Sequence, residues 1–402
     1  MTARRTRVLL IGEGATLAHV ARPAVLARAL PADEFEVVLA CAPRFAALFP
    51  DLPCPRLDIY SVPSEQVLAN ARRGVPLFDA ATLERYVVED LALLRDVASR
   101  LVVGDLRLSL NVSAPLAGVP FVNVINAQWS PYSTLAIDFV DHPLENALGP
   151  GLSRWVTRLA WPFGAAAYCL PLNLVRVGHG LPPLALDVKA QMCAGDYVVY
   201  PDVPELVPVQ RLPANHRYLG PVLWSPPIEL PPWWTEVPTD RPVVYVNLGS
   251  SGASDLLPVV LDALADLPVT VLAATAGRGA LASVPANAFV APYLPGDRCV
   301  ERARLTISNG GTMSGQQSLA AGVPVLGLVT HGDQLAFARA VRAAGAGDFL
   351  PASRVDRSSL ARLARGMLSR QSQQQAAARL AGVFARYDAA ARFRGLVRAI
   401  AQ

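Results

Sequence analysis

Apolar and polar positions along this chain follow two alternating periods. Short, nearly continuous apolar runs at 7–11, 35–40, 101–105, 119–125 and 197–200 read as strands buried on both faces. Segments with helical spacing, 18–30 and 80–100, lie between them, the first with Pro23 in or near its opening turn. Strand, helix, strand in succession predicts a parallel sheet. A second series begins at 243, with strands at 243–248, 269–274, 288–293, 305–308 and 323–329 and helices at 256–266 and 312–321. Further helices run from Asp356, a suitable N-cap, to the end. Prolines and tryptophans crowd residues 212–242, as in a stiff, extended linker. Residues 52–77 read as Pro-rich and irregular, 133–195 as mostly helical, and Tyr197 to Tyr200 as the last strand of the first series. The expected architecture is α/β, with two Rossmann-like β/α/β domains, 1–211 and 243–385, facing across a cleft. A final helix, 386–402, is expected to pack back on the first domain.

Composition narrows the class. At 402 residues the chain is long enough for two cores, and 52% hydrophobic with 17% charged residues can build them. The five cysteines (Cys41, Cys54, Cys169, Cys193 and Cys299) form no C-x-x-C pair, which argues against a disulfide framework and a zinc site and fits a reducing cytoplasm. The apolar run behind Arg4, Arg5 and Arg7 is too short for a signal peptide, and no run approaches a transmembrane span. From 354 to 402 there are ten arginines, no lysine and only Asp356 and Asp388, so this tail carries +8 of a chain whose net charge is +4. The plain reading is a solvated helical face balancing acidic surface elsewhere. The sharper reading is peripheral contact with an anionic membrane surface. No recognised nucleic-acid module accompanies the charge.

The densest chemistry lies in 305–334. An apolar strand breaks at Asn309-Gly310-Gly311 and a small-residue helix follows, stopped by Gly322 with Pro324 beyond. That geometry aims free backbone N–H groups and a positive dipole end at an anion. The next strand ends in Thr330-His331-Gly332-Asp333-Gln334, which brings a carboxylate and an amide to the same sheet edge. Gly12-x-Gly14, after the first strand, is a weak dinucleotide signal, because Leu17 takes the third glycine position and no acidic residue closes the second strand.

Tyr293, Pro295, Asn309, Gly311, Ser314, Gly322-Val323-Pro324 and Asp333-Gln334 keep one register over some forty residues. In this register the chain resembles the GT-B nucleotide-sugar glycosyltransferases, the family of plant UDP-glycosyltransferases and bacterial macrolide glycosyltransferases. The resemblance implies that Tyr293 stacks on the nucleobase. It implies that Gly310, Gly311, Thr312 and Ser314 hold the diphosphate, helped by Ser250 after the first strand of the second domain, and that Asp333 and Gln334 bind sugar hydroxyls. Two positions depart from the pattern: Asn309 stands where the family has histidine, and Gln317 where it has a ribose-binding glutamate.

The resemblance also implies that His19 is the catalytic base and Asp105 its orienting carboxylate. An acceptor hydroxyl must lose its proton as it attacks the anomeric carbon, and histidine's ordinary pKa of about 6.5 suits that task. Asn126, Trp129 and Tyr132, in the loop after the fourth strand of the series, are candidate acceptor contacts. His142, His179, His216 and His331 receive no role. The expected activity is inverting transfer of a hexose from a UDP- or dTDP-sugar to a hydroxyl of a largely apolar small-molecule or lipid acceptor. The donor is a co-substrate, with no further cofactor and no metal. The alternatives are a non-catalytic nucleotide-sugar-binding or auxiliary protein, and a sugar-nucleotide epimerase of the same fold.

Overall fold

The computed structural model describes residues 5–140, 143–249, 254–277 and 281–401. Ser250 and His142 lie outside them. Seven strands form the first sheet: β1 (Thr6–Gly12), β2 (Phe35–Cys41), β3 (Arg56–Asp58), β4 (Leu101–Asp105), β5 (Phe121–Val124), β6 (Tyr197–Tyr200) and β7 (His216–Tyr218). Their spatial order is β3-β2-β1-β4-β5-β6-β7. Six strands form the second: β8 (Val243–Asn247), β9 (Thr270–Ala274), β10 (Ala288–Ala291), β11 (Ala303–Ser308), β12 (Val325–Val329) and β13 (Gly347–Pro351). These run in the order β10-β9-β8-β11-β12-β13. Neighbouring strands pair in parallel throughout both sheets. The central strands are buried on both faces, which is why they read as unbroken apolar runs.

Each sheet reverses its winding direction once, between β1 and β4 in the first and between β8 and β11 in the second. In such sheets the crevice beyond these carboxyl ends is where ligands bind. Gly12 pairs with Asp105 across the first switch point, and Asn247 pairs with Ser308 across the second.

Several local expectations change. Residues 52–77 hold β3 and the helix Ser64–Arg73, and β6 is followed by a further edge strand, β7, inside the stretch expected as linker. The later part of that stretch is not free: Trp234 and Val237 pack into a core cluster with Val243 and Leu272. Pro23 sits well inside the helix Leu17–Arg28. It therefore removes the N–H that would bond the carbonyl of His19 one turn back. A Cβ on Gly12 would lie 2.6 Å from that carbonyl oxygen, so only glycine lets the helix start this close to β1.

The domains share apolar packing as well as a cleft. One cluster joins Tyr200, Val203 and Val207 of the first with Leu319, Phe337 and Phe384 from beyond β11. The last helix, Ala389–Ala401, buries Phe393, Leu396 and Val397 in a cluster with Val8, Val20 and Phe35. Arginines of the basic tail meet acids: Arg398 pairs with Glu34, Arg357 with Asp266 and Arg386 with Glu205. No helix among the described residues is long and apolar enough to cross a membrane.

Candidate active site

A cavity of about 1170 Å³ opens between the two switch points. His19 and Asn126 reach it from the first domain, and Tyr293, Asn309, Gly311, Thr312, Ser314, Gln317, Asp333 and Gln334 from the second. The sequence spreads these residues over more than 300 positions, and the two strand reversals collect them.

On the first-domain side His19 lies in the opening turn of the helix Leu17–Arg28. Its Nδ1 is 2.7 Å from Oδ1 of the fully buried Asp105 at the end of β4. The same Nδ1 lies 2.9 Å from a terminal nitrogen of Arg22; in the tautomer whose Nδ1–H donates to the nearer Asp105 oxygen, Nε2 keeps its lone pair. Arg22, one turn after His19, was not singled out by sequence, although i and i+3 share a helix face. Its Nε and one terminal nitrogen donate to the two Asp105 oxygens at 2.7 and 2.8 Å, and its other terminal nitrogen donates to Asn126 Oδ1 at 2.8 Å. Such a two-pronged guanidinium–carboxylate contact fixes the carboxylate plane, and thereby the imidazole.

The chain of polar contacts continues into the second domain. Asn126 Nδ2 donates to Asp202 Oδ2 at 3.2 Å, the Ala127 N–H donates to the same oxygen at 2.7 Å, and Gln316 Nε2 donates to Oδ1 at 2.7 Å. Gln316 also reaches the Pro201 carbonyl at 2.8 Å. Asp202 is fully buried, and that burial pushes its carboxyl from 3.8 up to about 6, the Ala127 N–H and the Asn126 amide pulling the other way. Its folded pKa thus exceeds its unfolded one. The native state holds a proton that the unfolded chain releases between about pH 4 and 6, so this residue's contribution to stability falls as pH rises through that window. Each pKa unit corresponds to about 1.4 kcal/mol. Melting temperatures of wild type and Asp202→Asn, followed from pH 4 to 7, should therefore diverge in slope; parallel curves would remove Asp202 as the source.

On the second-domain side the loop after β11 is built around Gly310, whose φ is +76°. A Cβ there would also come within 2.7 Å of Val329 Cγ1, so glycine is required on both counts. The Gly310 N–H donates to Ser308 Oγ at 3.2 Å and the Gly311 N–H to Asn309 Oδ1 at 3.0 Å. These two amides, expected to face a diphosphate, are thus already engaged by the side chains of Ser308, the last residue of β11, and Asn309 just beyond it. Gly311 caps the helix Thr312–Ala320. The N–H groups without partners inside that helix are those of its first turn, at Thr312, Met313 and Ser314, and Thr312 and Ser314 line the cavity. Asn309 acts here as a loop brace through its amide oxygen, a role that needs no charge.

The remaining candidates divide. Asp333 and Gln334 are in the first turn of the helix Gly332–Ala343, not in a loop. Asp333 Oδ1 accepts from Trp129 Nε1 at 2.7 Å and Gln128 Nε2 at 3.1 Å, both from the first domain. Gln334 Oε1 accepts from the Thr330 N–H at 2.8 Å. Gln317 Nε2 donates to Ser225 Oγ at 2.6 Å and so holds the interdomain connection. Tyr293 is 52% exposed, with its ring at the cavity wall. Trp129 lines the cavity, whereas Tyr132 points away from it, edge-on to His216 at 6.2 Å between ring centres. The two residues stand only three apart, but the short 3-10 turn Ala127–Trp129 sends them in different directions. Among the described residues no group of three or more His, Cys, Asp or Glu is arranged to hold a metal ion.

Comparison with known proteins fits this geometry. Residues 258–389 match the family described as erythromycin biosynthesis protein CIII-like, C-terminal domain. Over 382 residues the chain is 50% identical to a PGL/p-HBAD biosynthesis glycosyltransferase of Mycobacterium tuberculosis, covering 95% of this chain and 89% of that one. Over 386 residues it is 47% identical to a PGL/p-HBAD biosynthesis rhamnosyltransferase of Mycobacterium bovis, covering 96% and 86%. Among solved structures, a spinosyn rhamnosyltransferase complexed with thymidine diphosphate superposes with a TM-score of 0.71 at 20% identity, covering 97% of this chain and all of that one. The fold is GT-B, and the chain belongs to the glycosyltransferase family that contains the PGL/p-HBAD biosynthesis glycosyltransferases.

Proposed function

We propose that this glycosyltransferase moves a deoxyhexose from a nucleoside diphosphate, with thymidine diphosphate the first candidate, to a hydroxyl of a largely apolar acceptor, with inversion at the anomeric carbon. The observation that carries this reading is the convergence of two switch points on one cavity. The His19–Asp105 pair stands on one side and the open N-terminus of the helix Thr312–Ala320 on the other. His19 Nε2 takes the proton of the acceptor hydroxyl as its oxygen bonds to the anomeric carbon. The bond from that carbon to the diphosphate breaks, and its electron pair leaves with the diphosphate oxygen. The first-turn N–H groups at Thr312, Met313 and Ser314 meet the charge that develops there. Tyr293 offers its ring to the base.

The relatives named for rhamnose transfer favour a deoxyhexose, and the neighbour complexed with thymidine diphosphate favours that nucleotide. The apolar acceptor is supported by the long helix Pro143–Gly178. Its inner side gives Ala160, Trp161, Gly164 and Tyr168 to the cavity. Its outer side exposes Trp155, Leu159 and Phe163, the last to 80%. The apolar wall therefore continues out to the surface, as an acceptor with a long apolar part requires.

A thermal-shift panel of nucleoside diphosphates and their sugars tests this reading. A ligand at about 100 times its Kd adds about 2.7 kcal/mol to stability. Thymidine or uridine diphosphate should raise the melting temperature by several degrees in wild type and by less in Tyr293→Ala. No shift with any nucleotide would sink the reading.

A further inference from the structure

Asp333 does not face the cavity with a free carboxylate. Both first-domain donors described above converge on the same oxygen, Oδ1. Gln128 also donates to Thr312 Oγ1 at 3.3 Å, so it ties the sugar side of the cavity to the helix N-terminus. Its side chain is completely buried, and its Oε1 has no hydrogen-bond partner. An unpartnered amide oxygen in that setting is costly, and it persists here because the loop is held from behind. The Ala127 N–H is anchored on Asp202, and the Trp129 carbonyl accepts from Cys193 Sγ at 3.2 Å.

We propose that Gln128 and Trp129 are specificity-determining residues that act through Asp333 by limiting how many sugar hydroxyls its carboxylate can accept. A carboxylate offers about four acceptor positions over two oxygens. With two donors on Oδ1, only Oδ2 is left for the sugar. Gln334 is restricted in the same way. Its Oε1 is filled by the Thr330 N–H and hydroxyl at 2.8 and 3.0 Å, so it meets a ligand only as an N–H donor. The seat is thus poor in acceptors. A fully hydroxylated hexose brings one more O–H to this acceptor-poor seat than a deoxyhexose does, and an unpaired hydroxyl in a desolvated site is penalised. A deoxyhexose lacks it. This inference rests on the cavity being the nucleotide-sugar seat.

The test compares kcat/KM for a thymidine diphosphate deoxyhexose and for the fully hydroxylated hexose on the same nucleotide, alongside the affinity for thymidine diphosphate alone. Trp129→Phe keeps the ring and removes the N–H. It should leave nucleotide affinity within about twofold and lower the preference for the deoxyhexose by about tenfold, the worth of one hydrogen bond to a charged group. Gln128→Met, close in volume, should shift the ratio in the same direction and serves if Trp129→Phe folds poorly. An unchanged ratio with intact nucleotide binding in a folded variant overturns the inference and leaves the donor seat standing. No binding of thymidine diphosphate by the wild type would instead remove the donor seat itself.

Discussion

Replacing His19 with alanine should lower kcat for sugar transfer by about 10² to 10⁴, the usual worth of a positioned general base, while leaving donor affinity and the melting temperature nearly unchanged. The effect should be large because an acceptor hydroxyl is a weak acid at neutral pH, and among the described residues no second histidine lines the cavity from the first domain. It should be confined to the chemical step because His19 touches the donor helix through no hydrogen bond and keeps 19% of its side chain in solvent. Asp105→Asn should lose a comparable factor by another route. The substituted amide offers only one oxygen to a guanidinium and an imidazole that both donate, so the imidazole loses its fixed tautomer. Turnover by His19→Ala near the wild-type rate would take the residue out of the mechanism.

The largest loss of stability should come from a residue outside the cavity. Arg107 is fully buried. Its guanidinium donates to Asp90 at 3.0 Å, Glu13 at 3.0 Å, Glu89 at 2.8 Å and the Tyr60 carbonyl at 2.9 Å, and lies 3.6 Å from the Tyr86 ring centre. Burial pushes the Glu13 and Asp90 carboxyls up, and Arg107 pulls both back down. Arg107→Met would strand two carboxylates in the interior. Breaking a buried pair from one side costs about 3 to 5 kcal/mol, so the melting temperature should fall by on the order of 10 °C for a domain of this size. Adding Glu13→Gln should restore part of that loss, because one of the stranded charges is gone. The consequence reaches catalysis, since Glu13 leads out of β1 towards His19 and its N–H bonds the Asp105 carbonyl at 3.0 Å. A single variant melting within a degree or two of wild type would contradict this assignment.

What the sequence revealed follows from the range of the interactions involved. The central strands announced themselves because burial on both faces leaves no polar position to break the run. The bend at Asn309-Gly310-Gly311, the helix after it and the cap at Asp356 are set by neighbours in the chain and were legible for that reason. The edge strands β3 and β7, three residues each, are defined by their pairing partners and carry no pattern of their own. Proline-rich sequence around them reads as irregular because proline's effect is local while strand pairing is not. In the site, Asp333 and Gln334 emerged because their register fits a family, and His19 and Asp105 because His19 follows a strand and Asp105 ends one, as that family's pair does. Arg22, Asp202, Gln316 and Gln128 did not, nor did Arg107 outside the cavity. Each contributes through a partner in another strand or domain, and nothing near it in the chain marks that partner. The same cause explains Trp129, expected as an acceptor contact and found bonded to Asp333 across the cleft, whereas the amides of Gly310 and Gly311 are taken by side chains two residues away.

The claim on which the rest depends is that one hydroxyl oxygen displaces one diphosphate oxygen in a single in-line step, with His19 on the acceptor side and the helix Thr312–Ala320 on the leaving-group side. NMR of the glycosylated product, formed from a donor of known anomeric configuration, measures this directly. A single displacement inverts the anomeric centre, and the product should show the configuration opposite to the donor's. Retention would require a second displacement or a different nucleophile, and would contradict the roles assigned to His19 and Asp105.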